Sequence, residues 1–188
     1  CKRHTLELAH LLDAYFTEKG YDKNKIVGSF DWDPIEKISM QGIDVTALLG
    51  IAPQLVEAMK AYPHFRVISV NAEALNNAGA YIVQELGYAL AWGNEYLSQL
   101  VDAGIDADTA ASNIKFNLGI SENFFMEMSK FRAACLLWAE IVKQYAPKET
   151  ASCMMCVNAI TSKYNMTLFD SYVNLLRSQT ESMSAALA

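Results

Sequence analysis

The chain has 188 residues, of which 52% are hydrophobic and 19% are charged, a balance that excludes a disordered protein. Its formal net charge of −6 argues against a surface for nucleic acid or anionic membranes. No apolar run reaches the roughly 18 residues of a membrane span, and no signal peptide opens the sequence. We therefore expect a cytoplasmic location and one domain-sized core over residues 1–188. Since a cysteine at position 1 leads straight into helical sequence, we also expect a fragment of a longer protein.

Helical and strand patterns alternate from one end of the chain to the other. Apolar spacing and flanking Gly or Pro residues predict helices over 6–19, 45–62, 78–101, 106–111, 121–145 and 167–187. Short apolar runs predict strands over 25–30, 65–70, 114–118 and 153–157. Asp106 and Ser121 are the expected N-caps of their helices. This alternation predicts an α/β fold with parallel strands joined by right-handed crossovers.

Two architectures fit such an order, an open doubly wound sheet and part of a (β/α)₈ barrel. No G-x-G-x-x-G motif or P-loop follows a strand, so nucleotide binding has no support. Four units and a leading helix without its own strand favour about half of a TIM-type barrel. A cut barrel exposes strand edges and its interior, so we expect self-association, most simply as a two-fold dimer. The strand residues expected to include the uncovered ones are Ile26, Phe30, Val67, Val70, Phe116, Met154 and Met155.

Cys153 and Cys156 form a C-x-x-C motif, which raises a redox or zinc interpretation. The surrounding apolar run indicates a buried strand, in which residues three apart point to opposite faces. Zinc would also need a second ligand pair, and the three histidines are scattered along the chain. We therefore expect two reduced, unmetallated and mostly buried thiols.

Polar residues follow each predicted strand, where α/β proteins build their sites. They are Asp31 and Asp33, then Asn71 and Glu73, then Asn117, and finally Asn158 and Thr161. Three of these are carboxylates, which would suit a divalent cation or an acid/base pair. Asp and Asn also cap helices and tolerate turns, and we favour that structural role.

Two long segments resemble the methylmalonyl-CoA mutases. Residues 123–148, "NFFMEMSKFRAACLLWAEIVKQYAPK", are similar to the family's signature helix, and residues 76–97, "NNAGAYIVQELGYALAWGNEYL", to the neighbouring helix. The run Thr167-Leu168-Phe169-Asp170 fits as well. The resemblance covers nearly the whole chain and implies a (β/α)₈ barrel that threads acyl-CoA along its axis. It also implies a separate cobalamin-binding domain, which 188 residues do not include.

The strand ends depart from the family pattern. Where the resemblance implies a Tyr-His pair that holds substrate and cofactor, this chain has Glu73 and Ala74. A substrate-binding Gln is replaced by Asp31. The family run Arg-Thr-His-Ser-Gln-Thr is matched by residues 156–161, so its Arg, His and Gln become Cys156, Asn158 and Ile160.

A methyl group cannot hydrogen-bond a thioester carbonyl, and a carboxylate at Glu73 would repel substrate carboxylate and CoA phosphates. The pattern is that of the family's small, non-catalytic subunit. It implies a large catalytic subunit as partner, and adenosylcobalamin in the holoenzyme but not on this chain. Two alternatives stay open. One is a variant acyl-CoA mutase that uses Asp31, Glu73 and Asn158, and the other is an unrelated α/β domain with its own ligand.

Overall fold

A computed structural model of the protein describes residues 4–41 and 50–188, without the side chains of residues 38–41. The helices are α1 (Thr5–Glu18), α2 (Pro34–Gln41), α3 (Ala52–Ala58), α4 (Glu73–Asn77), α5 (Ile82–Asp102), α6 (Ala107–Ser112), α7 (Phe124–Lys143) and α8 (Ser171–Leu187). The strands are β1 (Gly28–Ser29), β2 (Phe65–Arg66), β3 (Ile68–Asn71), β4 (Ile114–Ile120) and β5 (Cys156–Thr161). Within the described ranges, no helix combines the length and the apolar character needed to cross a membrane.

The strands are all parallel and follow chain order. β1 pairs with β2, and β3, β4 and β5 form a three-stranded sheet in that order. β2 and β3 are separated only by Val67, where the ladder is irregular. One hydrogen bond is made before this break, where Phe30 N–H donates to Arg66 O, and one after it, where Ser69 N–H donates to Trp32 O. The segment that follows β1 is therefore hydrogen-bonded to both β2 and β3. The predicted parallel arrangement of the strands is confirmed.

One face of β4 is apolar and lies under two long helices. Phe116 and Trp138 of α7 pack edge to face, with ring centroids 4.8 Å apart. α5 approaches the same place at Gly93, where a Cβ atom would lie only 2.4 Å from Phe116 Cζ. Both aromatic side chains are buried, Phe116 at 0% and Trp138 at 1% exposure. The helices thus cover one face of the sheet, and glycine sets how closely α5 can approach.

The opposite face of the sheet is polar. Residues of β4 alternate in direction, so Lys115 and Asn117 point away from the helices. Their register partners are Ser69 and Asn71 on β3, and Cys156 and Asn158 on β5. We call this the polar face, defined by Ser69, Asn71, Lys115, Asn117, Cys156 and Asn158.

The polar face corrects the expectation of an uncovered apolar interior. Val67, Val70 and Phe116 are each 0% exposed, and Phe30 is buried as well. Val70 and Phe116 are in register on the side of the sheet that the helices cover, and all four residues belong to the hydrophobic core. Met154, at 73% exposure, is outside any strand, while Ile26 and Met155 are half-buried.

Several predicted boundaries also shift. The fourth strand is Cys156–Thr161 rather than 153–157, and α2 and α4 were not predicted. Ser121 does not cap α7, whose N-cap position is Asn123, whereas Asp106 does cap its helix by accepting from Thr109 N–H at 3.1 Å. The start of the helix predicted over 45–62 lies partly outside the described residues, and its described part is α3.

The cysteines differ from expectation in their local structure. Residues Thr150–Cys153 form a 3-10 turn, so Cys153 ends a turn and Cys156 begins β5. Strand alternation therefore cannot be what separates the two thiols. Both are free, Cys153 being buried and Cys156 half-buried, while Cys135 is free and exposed on α7 and Cys1 lies outside the described residues.

The contact at Gly93 gives a test of the fold. Gly93→Ala should lower the free energy of unfolding by about 1–3 kcal/mol, because its methyl group would overlap Phe116 and Trp138. Gly87, in the same helix, has no atom within 4 Å of an added Cβ, so Gly87→Ala should instead raise stability by about 0.5–1 kcal/mol. Urea unfolding of both variants measures the difference. Equal effects would show that α5 does not pack on β4 as described.

Candidate functional site

Three asparagines form a hydrogen-bonded row across the sheet. Asn71, Asn117 and Asn158 are in register on β3, β4 and β5. Asn158 Nδ2 donates to Asn117 Oδ1 at 3.1 Å, and Asn117 Nδ2 donates to Asn71 Oδ1 at 2.5 Å. The first two are buried, at 2% and 4% exposure, while Asn158 is exposed. We call this row the amide ladder; it lies at the carboxyl end of β3 and at the middle of β4.

The amide ladder ends at carboxylates. Asn71 Nδ2 donates to Glu36 Oε2 at 2.9 Å, and Asn117 Nδ2 makes a longer contact of 3.3 Å to Asp31 Oδ1. Each amide thus donates away from β5 and towards the acidic groups that follow β1. Hydrogen bonds that share one direction polarise one another, so the row stabilises negative charge at its Glu36 and Asp31 end.

Asp33 serves the fold. It caps α2 by accepting from Glu36 N–H at 3.0 Å, and it accepts from Asn71 N–H at 2.7 Å. Tyr96 of α5 donates its hydroxyl to the same carboxylate at 2.5 Å. Burial raises the pKa of Asp33 against the opposing effect of these donors, and burial followed by the Asp33 charge raises the pKa of Tyr96. The capping role predicted for Asp33 is confirmed.

Glu73 is the most perturbed carboxyl group at the strand ends. It is the first residue of α4 and is half-buried, and its Oε2 has no hydrogen-bond partner among the residues that the structure describes. Burial, followed by the charges of Asp31, Glu36 and Asp33, raises its pKa to about 7. Such a group could exchange protons near neutral pH. Its charged neighbours are carboxylates, so its anionic form is disfavoured and any second anion would be disfavoured too.

The remaining candidate positions from the sequence lie near the amide ladder but contribute less to its hydrogen bonds. Cys156, Asn158 and Ile160 point to the polar side of β5, opposite Lys115, Asn117 and Gly119 respectively. Thr161 pairs with Ile120 and so points to the helix side. Ala74 follows Glu73 in α4 and presents only a methyl group.

The structure thus brings Asp31, Asn71, Asn117 and Asn158 into one hydrogen-bonded group with Glu73 beside it. Glu36 was missed, although the Asp33-Pro34 pair before it is a usual helix start. Among residues 4–41 and 50–188, no three His, Cys, Asp or Glu side chains are grouped to hold a metal ion. The divalent-cation interpretation of these carboxylates therefore has no geometric support.

Comparison with known proteins identifies the family. The sequence model of the family described as "Methylmalonyl-CoA mutase" matches residues 3–188. The methylmalonyl-CoA mutase small subunit of Porphyromonas gingivalis is 47% identical over 191 aligned residues, which cover 100% of this chain and 31% of that protein. The chain belongs to the methylmalonyl-CoA mutase family.

Other mutases are similar over less of the chain. A methylmalonyl-CoA mutase of Cereibacter sphaeroides is 40% identical over 174 residues, 90% of this chain and 24% of that protein. The methylmalonyl-CoA mutase large subunit of Porphyromonas gingivalis is 41% identical over 125 residues, 66% of this chain and 18% of that protein. The chain therefore spans less than a third of the length of these mutases. The resemblance to the mutase family inferred from the helices is confirmed.

Glu73 gives a pH-dependent test of the site. Its pKa of about 7 in the fold lies above the 4.5 of an unperturbed glutamate, so its favourable contribution is complete below pH 4.5 and is lost as pH rises through 7. Glu73→Gln removes this loss and should be more stable than the parent at pH 8, by about 1 kcal/mol after allowance for solvent screening. At pH 4 the two should differ little.

Urea unfolding at the two pH values measures this difference. Glu18→Gln, at the exposed end of α1, is the matched control and should show no such gain. A Glu73→Gln variant that is less stable than the parent at pH 8 would contradict the described surroundings of Glu73.

Proposed function

We propose that this chain is part of the small, non-catalytic subunit of an adenosylcobalamin-dependent methylmalonyl-CoA mutase. In this proposal a large subunit performs the isomerisation of methylmalonyl-CoA and succinyl-CoA. The observation that carries the proposal is the set of side chains at the strand ends: the amide ladder and carboxylates lie beside Glu73 and Ala74. The similarity to a mutase small subunit over the full chain supports the same assignment.

The charges at the strand ends oppose the binding of an acyl-CoA. Asp31 and Glu36 place negative charge beside Glu73, and the substrate brings further anionic groups. Two unit charges about 6 Å apart repel by about 3 kcal/mol at an effective dielectric constant of about 20. Ala74 offers no hydrogen bond to a thioester carbonyl. This surface therefore suits a supporting role better than catalysis.

The side chains at the strand ends do not fit cobalamin either. The described histidines are remote from them, since His4 and His10 belong to the α1 region and His64 precedes β2 at the opposite end of the sheet. Glu73, Ala74 and Asn158 cannot supply the hydroxyl and imidazole groups that the family pattern implies at their positions. We propose that adenosylcobalamin belongs to the holoenzyme and that this chain does not bind it.

We further propose that residues 1–188 are about half of a (β/α)₈ barrel domain. Consecutive parallel strands, long helices on one side of the sheet and a polar face on the other support this architecture. The barrel would place the amide ladder on its inner wall. Self-association of the 188-residue chain stays a prediction. The edge of β5 that pairs with no strand within residues 4–41 and 50–188 gives it a better basis than the apolar core residues. A cytoplasmic location also stays a prediction.

The proposal is tested with the intact protein from which this chain comes. Coexpression with a methylmalonyl-CoA mutase large subunit, followed by size-exclusion chromatography, should give a 1:1 complex that holds one cobalamin per pair. The intact protein alone should leave the visible absorbance of adenosylcobalamin unchanged and should bind no methylmalonyl-CoA in calorimetry.

Each other outcome identifies another function. Acyl-CoA binding by the protein alone would favour the variant mutase that uses Asp31, Glu73 and Asn158. Failure to form a complex, with no binding of either ligand, would overturn the subunit proposal and favour a domain with a different ligand.

A further inference from the structure

Strand β4 extends beyond its neighbour. The last residue of β3, Asn71, pairs with Asn117, whereas β4 continues to Ile120. Asn113 O, just before the strand, accepts from Ile68 N–H, so the odd-numbered residues that follow it bond towards β3. Ile120 O bonds on the β5 side, where it accepts from Ser162 N–H. The main-chain groups of Gly119 thus point to a place where no strand continues. An unpaired buried N–H or C=O there would be costly.

Two charged side chains take the bonds that a strand would make. Glu85 Oε1 accepts from Gly119 N–H at 2.6 Å, and Lys130 Nζ donates to Gly119 O at 2.6 Å. Glu85 and Lys130 also pair with each other at 2.8 Å, and both side chains are 0% exposed. The pair presents one acceptor and one donor to Gly119, as a neighbouring strand would.

The pair is joined to the elements around it. Asn76 Nδ2, in α4, donates to Glu85 Oε2 at 3.0 Å. Lys130 Nζ lies 2.6 Å from Glu127 Oε2, an ion pair without hydrogen-bond alignment. Glu127 Oε1 accepts from both the N–H and the hydroxyl of Ser121, at 3.0 and 2.5 Å. Glu85 and Glu127 each lie in the first turn of a long helix, where the macrodipole favours a negative charge.

Gly119 and α4 are in close contact. A Cβ atom at Gly119 would lie 2.6 Å from Asn76 Cβ, so α4 rests directly on the end of β4. Asn76 is itself buried at 4% exposure and is in the same five-residue helix as Glu73 and Ala74. Displacement of Glu85 would therefore move α4 and the strand end together.

We infer that Glu85 and Lys130 take the place of the strand neighbour that Gly119 lacks on its β3 side. They thereby position α4 and the carboxyl end of β4. They are positioning residues for the surface that carries Glu73 and Ala74. This role does not depend on whether the protein is a mutase subunit. A purely stabilising role would have a different consequence. Loss of stability alone would increase local opening throughout the molecule and not specifically in α4 and the end of β4.

Hydrogen exchange followed by mass spectrometry on the intact protein separates the two roles. In Lys130→Met, exchange in residues 72–81 and 117–123 should be at least about tenfold faster, because Gly119 O loses its donor and two buried carboxylates lose their cation. The double variant Glu85→Gln/Lys130→Met keeps an amide oxygen that can accept from Gly119 N–H and should exchange more slowly there than Lys130→Met. It also tests the inference if the single variant does not fold.

Lys143→Met is the matched control. It removes a lysine of the same helix that pairs with Glu140 at 2.5 Å on the exposed surface. It should leave exchange in both segments unchanged. If the Lys130 variants accelerate exchange no more in these segments than in α1 and α8, the positioning role is wrong.

Discussion

The two faces of strand β4 determine how the rest of the chain is arranged. Phe116 packs under α5 and α7, and the next residue, Asn117, is held on the other face by Asn71 and Asn158. Because neighbouring side chains on a strand point in opposite directions, neither set can move without the other. The register of β3 and β5 is therefore fixed by apolar packing on one side and by amide hydrogen bonds on the other.

This division also separates the helices on which the family resemblance rests from the strand ends. The segments that resemble the mutases most strongly are α5 and α7, which cover the apolar face. The positions proposed to have lost the family's side chains, such as Glu73 and Ala74, lie at the strand ends. In the proposed assignment a barrel scaffold is retained while its chemistry is lost, since fold and site depend on different residues.

Periodicity alone predicted much of the architecture. The long helices, the strand at Ile114 and the cap at Asp106 follow from local patterns that tertiary contacts leave unchanged. The strand predicted over 153–157 was placed too early, because the chain at Cys153 is still in a turn and the strand begins at Cys156. Val70 and Phe116 were expected among the uncovered residues but are core, because alternation shows which residues share a face but not which face the helices cover.

The buried ion pair could have been suspected from the sequence. Glu85 falls on the stripe of α5 that continues with Ala89 and Gly93, and Lys130 precedes Phe131 on the buried side of α7. A charge on an otherwise apolar stripe indicates a buried partner. The partner itself could not be predicted, because Gly119 lacks a strand neighbour on the β3 side only as a result of where β3 ends in the folded chain, at Asn71.

The most direct test of the account is the turnover of the assembled complex after the strand-end polar groups of this chain are removed. A complex of the intact protein, carrying Glu73→Ala and Asn158→Ala, with a mutase large subunit should isomerise methylmalonyl-CoA at the rate of the parent complex. A fall of about tenfold or more, with the complex still assembled, would show that this surface takes part in the reaction.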